Sequence, residues 1–66
     1  MMYPQFNKIK LVRDLKNQGL PSGLIGYVVD VYTQPSQGYK VAFLDDKGFT
    51  IAVTSVRPED IGLVLE

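Results

Sequence analysis

Acid–base and nucleophilic catalysis begin with a group that titrates near neutral pH, and this sequence contains neither histidine nor cysteine. Ser22, Ser36 and Ser55 therefore have no imidazole to accept their proton, and no glycine-rich stretch carries a lysine at phosphate-loop spacing. Asp45 and Asp46 are adjacent carboxylates, but they open the run Asp45-Asp46-Lys47-Gly48, which has turn chemistry and no third oxygen ligand nearby. The expectation is a protein that is not an enzyme and that holds no cofactor and no metal.

Two sets of side chains could bind rather than react. Tyr27, Tyr32, Tyr39 and Phe49, together with Leu20 and Leu24 from the segment 17–24, could offer an apolar and aromatic patch to a protein partner or to a second copy of the chain. A domain this small needs rings for its interior, so two of the four aromatics are expected to be buried. Lys8, Lys10, Arg13 and Lys40 form the alternative, a face that holds nucleic-acid phosphates while a tyrosine stacks on a base.

Charge separates the two readings. Seven basic and seven acidic side chains give a net charge of zero, so no overall field draws in a polyanion. The balance is uneven, with +3 over residues 1–17 and −3 over the remainder, and this reads as internal pairing or solvated charge. A protein partner is favoured and nucleic acid disfavoured. No run approaches a membrane span, and the N-terminus lacks the apolar stretch and small-residue cleavage site of a secretory signal. A bacterial-type cytoplasm is the expected location.

Size sets the next limit. At 66 residues the chain is one domain, and a single core at this length supplies roughly 3 to 5 kcal/mol unless a disulfide, a metal or another chain adds to it. Disulfides and the common zinc sites are excluded with cysteine and histidine, which leaves regular packing or association. The 45% hydrophobic content supports a folded domain rather than a disordered tail.

The elements that must position these side chains read as strands. Residues 1–7 have no period and contain Pro4, an N-terminal arm ahead of a domain at 8–66. Ile9 and Leu11 alternate with Lys8, Lys10 and Val12, which favours a first strand at 8–14; a helix ending at Gly19 competes with it. Residues 17–26 form a long connection in which Gly23 and Gly26 can take positive φ, leading into a second and central strand at 27–32. Val28 and Val29 cannot both face one core in a regular strand, so a bulge or two-sided burial is expected near Gly26.

After the polar turn 33–38, a third strand at 39–44 puts Tyr39, Val41 and Phe43 on one face. Asp45 to Gly48 should form a type I turn closed by a left-handed glycine. The fourth strand, 49–55, alternates Phe49, Ile51 and Val53 with Thr50, Ala52 and Thr54, an apolar face and a small polar one. Pro58-Glu59-Asp60 starts one helical turn with acids at its N-terminal end, and 61–65 is the closing strand. Five strands with turns at this spacing predict an all-β fold, a small five-stranded SH3-like barrel with one short 3-10 turn before the last strand.

Gly23-Leu24-Ile25-Gly26-Tyr27-Val28, Tyr39-Lys40-Val41-Ala42-Phe43-Leu44-Asp45, Gly48 and Arg57-Pro58-Glu59-Asp60-Ile61 together resemble the small bacterial family DUF4926, a domain of unknown function, over about Lys10 to Leu63. The Gly-x-x-Gly-x-Val core is similar, over some ten residues, to the KOW segment of ribosomal and transcription-elongation proteins, although the lysines and arginines that surround it there are missing here. The resemblance implies an SH3-like barrel. It also implies a protein partner, the product of a neighbouring gene, that the domain neutralises in an antitoxin-like or immunity-like way. A KOW-like role on RNA is the alternative that it implies.

Overall fold

Large apolar side chains at every second position need a pleated strand to share one face, and the backbone supplies five. The structure, a computed structural model, describes residues 7–34 and 36–64. Its strands are β1 (Lys8–Leu11), β2 (Ile25–Tyr32), β3 (Gly38–Leu44), β4 (Thr50–Val56) and β5 (Ile61–Leu63), with 3-10 turns at Lys16–Gln18 and Pro58–Asp60. All pairings are antiparallel, in the order β4-β3-β2-β1-β5. The fold is all-β, as the strand spacing predicts. The N-terminal arm, Pro35 in the polar turn and Leu65 at the end of the expected last strand lie outside the described residues.

Ile9, Leu11, Leu20, Val28, Tyr39, Val41, Phe43, Val56 and Ile61 are buried in one cluster. All of these but Leu20 come from the five strands, and among the described residues no layer of helices covers the sheet. The cluster includes Val56 of the edge strand β4 and Ile61 of the opposite edge strand β5. Tyr39, Val41 and Phe43 are fully buried, as their alternation predicts.

The first strand ends at Leu11 rather than reaching Asp14, because the chain is tied into a loop from that point. The Gly23 N–H donates to the Leu11 carbonyl at 2.6 Å and the Leu11 N–H donates to Leu24 at 2.8 Å. The Asp14 carboxylate then accepts from the Ser22 N–H at 2.8 Å. Within the loop, Leu15 and Leu20 bridge antiparallel across the first 3-10 turn, which closes on Gly19 at φ 67°. Of the competing helix ending at Gly19, only this one 3-10 turn forms.

Gly23 takes positive φ as expected, at 95°, but Gly26 does not. It lies inside β2 for a different reason. A Cβ there would sit 2.7 Å from Val41 Cγ1 and 2.8 Å from the Ala42 carbonyl oxygen, so β3 crosses too closely for any side chain. β2 consequently starts at Ile25, two residues earlier than its β-branched run suggests. The anticipated irregularity follows at Val29, where the register slips between Val28 and Asp30. That slip lets Val28 and Val31 both face the interior, opposite Val41 and Tyr39.

Asp60 fastens the second 3-10 turn to the sheet. Its carboxylate accepts from the Arg57 N–H at 3.0 Å and lies 3.3 Å from Arg13 Nε. Its carbonyl accepts from the Val12 N–H at 2.8 Å.

Candidate functional site: an apolar face on β4

The turn into β4 is built by one side chain. Asp45 Oδ1 accepts from the N–H groups of Lys47 and Phe49, each at 2.9 Å, while the Asp45 N–H donates to the Phe49 carbonyl at 2.8 Å. Gly48 closes the turn at φ 89°. Asp45 is thus a turn-former, as its neighbours suggest, and among the described residues no group of acids could hold a metal ion.

This turn, and a register shift between Phe43 and Leu44, set the phase of β4. Phe43 pairs with Ala52 and Val41 with Thr54, so the small residues of β4 follow the buried face of β3. Ile51 and Val53 turn to solvent and are 51% and 53% exposed, and Phe49, ahead of β4 and across the register shift, is 67% exposed. The usual rule that a strand's apolar face packs inward is reversed here. The reason is volume: Tyr39, Val41 and Phe43 already fill the interior beside β4, and only Ala52 and Thr54 leave room for them.

The exposed stripe continues across the sheet. Val53 pairs with Ala42 and Ala42 with Tyr27, which is 38% exposed, and Tyr27 pairs in turn with Lys8. At about 4.8 Å between neighbouring strands, Tyr27 and Val53 lie about 10 Å apart with only an alanine between them. The result is an outward apolar surface spanning β2, β3 and β4, rimmed by the charges of Lys8 and of the Asp30–Lys40 cross-strand pair.

The residues expected from sequence to bind a partner divide accordingly. Tyr27 and Phe49 are on the outer surface. Tyr39 is fully buried and Leu20 is 7% exposed, so both belong to the core and leave the contact set. Leu24 is half-buried and packs against that core. Tyr32 is half-buried beside a shallow, open depression that also includes Gln34, Gln37, Ser55 and Arg57. Ile51 and Val53 were not in the expected set, although a seven-residue strand without one charged side chain was a signal available in the sequence.

Of the basic set, Lys8, Lys10 and Lys40 share the outer side of the sheet and Arg13 lies apart from them. Arg13 is paired with Asp60, and Lys40 stands opposite Asp30 in the β2–β3 ladder. Lys8 and Lys10 share the outer side of β1, opposite the buried Ile9 and Leu11.

Among the described residues no helix is long and apolar enough to cross a membrane. No curated protein and no solved structure matches the chain. The family model for the domain of unknown function DUF4926 matches residues 6–63, nearly the whole sequence, and the chain therefore belongs to the DUF4926 family.

Proposed function

We propose that this chain is a non-catalytic protein-interaction module whose contact surface is the outer face of β2, β3 and β4, and that it neutralises its partner in an antitoxin-like or immunity-like way. The observation that carries this reading is the exposure of Ile51 and Val53 on a strand with no charge, with Phe49 exposed just ahead of it. Scattered exposed apolar residues are ordinary, but Ile51 and Val53 on one strand, continued across Ala42 to Tyr27, form a patch of the kind that protein interfaces bury. Aromatic side chains near the centre of an interface carry a large share of the binding energy, while a charged rim sets register. The absence of histidine and cysteine from the sequence supports the non-catalytic part.

The test is co-expression with the product of the neighbouring gene, one copy tagged, followed by purification over a range of salt. The expected result is a complex that persists at about 0.5 M salt, since burial of apolar surface is not screened, and that is lost when Ile51→Lys is introduced. Failure of that protein to co-purify, combined with RNA binding that weakens steeply as salt rises, would replace this reading with the nucleic-acid one.

A further inference from the structure

We infer that β4 pairs edge to edge with the β4 of a second copy, antiparallel about a two-fold axis, joining two five-stranded sheets into one. This inference stands apart from the partner reading above, because it concerns the edge of β4 rather than its outer face.

β4 is the end strand of the sheet, and among the described residues its backbone pairs only with β3. Natural edge strands are protected by lysine, proline, an inward charge, a β-bulge or shortness. β4 is seven residues long, Thr-Ile-Ala-Val-Thr-Ser-Val, with no charge and no proline. Its one irregularity, the register shift opposite Phe43 and Leu44, lies near its start and leaves 52–56 as a regular run without any of these protections. The opposite edge differs, since β5 is only three residues long.

Charge favours a second copy in the antiparallel sense. A strand without charges meets itself with no like-charge opposition at any register. Asp45 and Asp46 precede β4 and Arg57 follows it, so an antiparallel two-fold brings the acidic turn of each copy beside the other's Arg57. The Arg57 side chain is 79% exposed, and its ion pair with Glu59 is stretched to 4.0 Å. A parallel arrangement would instead set Arg57 against Arg57. The zero net charge leaves no overall repulsion between copies. The chain also has no cysteine for a disulfide and, among the described residues, no second layer to stabilise its small core, and oligomerisation is a common way for such domains to gain stability. Pairing would place two outer stripes side by side, doubling the apolar face around the axis.

Sedimentation of the full chain between about 5 and about 500 µM should give a monomer–dimer equilibrium by mass action. Val53→Lys should raise the dissociation constant by about tenfold or more, because the lysine occurs twice across the axis. If that variant fails to fold, a charge exchange keeps the test decisive. Asp46→Arg alone should weaken the dimer, and adding Arg57→Glu in the same chain should restore it.

The chain has no cysteine, so single substitutions report geometry directly. Ile51→Cys or Val53→Cys should form an intermolecular disulfide, and Leu63→Cys on β5 should not. A chain that stays monomeric throughout, a dimer indifferent to both Val53→Lys and the charge exchange, or cross-linking through Leu63→Cys in place of β4 would overturn the inference.

Discussion

Asp60 shows how much of this small fold can rest on one polar side chain. It is 8% exposed, yet its carboxylate is engaged by the Arg57 N–H and the Arg13 guanidinium, and its carbonyl holds Val12. These contacts join the end of β1 to the turn that launches β5. Asp60→Ala leaves the Arg57 N–H without its acceptor and Arg13 without its counter-charge. A loss of about 1 to 3 kcal/mol in unfolding free energy is expected by urea titration, most of it from the unsatisfied N–H. Asp60→Asn keeps an acceptor oxygen and should recover part of that loss. Asp45 has the same local character, with one carboxylate oxygen serving two backbone donors, but it acts on an exposed turn.

At the scale of elements, β4 makes the sharpest prediction. Its interior face is small because β3 is large, so Ala52→Leu should push against Phe43 and destabilise the domain by about 1 to 3 kcal/mol, measured by the same titration. The strand also marks where sequence reading succeeds and where it stops. Alternation grouped Ile51 and Val53 on one side, because the period of two is a property of the backbone, but the register shift opposite Phe43 and Leu44 breaks that period and takes Phe49 out of the group. It carried no information on which side was the interior, since that depends on the volume contributed by β3 and on the register shift at Phe43 and Leu44.

β3 was legible in full, with bulky residues on one face and a glycine-closed turn after it. β2 was legible in kind but not in its start. The need for glycine at position 26 comes from the approach of Val41 and Ala42, a contact between strands that no local pattern records. The loop after β1 was misjudged for a similar reason: its closure depends on Gly23, Leu24 and Ser22 returning to Leu11 and Asp14. Of the expected contact residues, Tyr27 and Phe49 reach the outer surface while Tyr39 and Leu20 are core, because composition alone does not divide seven aromatic rings between interior and exterior.

For the molecule as a whole, the sheet encloses one core on its inner face and leaves an apolar stripe on its outer face. In a 66-residue chain, apolar side chains left outside do not contribute to a core that has few to spare. The central claim is that Ile51 and Val53 are surface for contact and not part of the folded monomer's interior. A urea titration of the double variant Ile51→Lys with Val53→Lys, beside the unaltered chain and at several protein concentrations, tests it most directly. In the dilute limit, where neither chain is associated, the two should unfold within about 0.5 kcal/mol of each other, as exposed substitutions do. A loss of about 2 kcal/mol or more that does not change with protein concentration would put both side chains in the core and contradict the account.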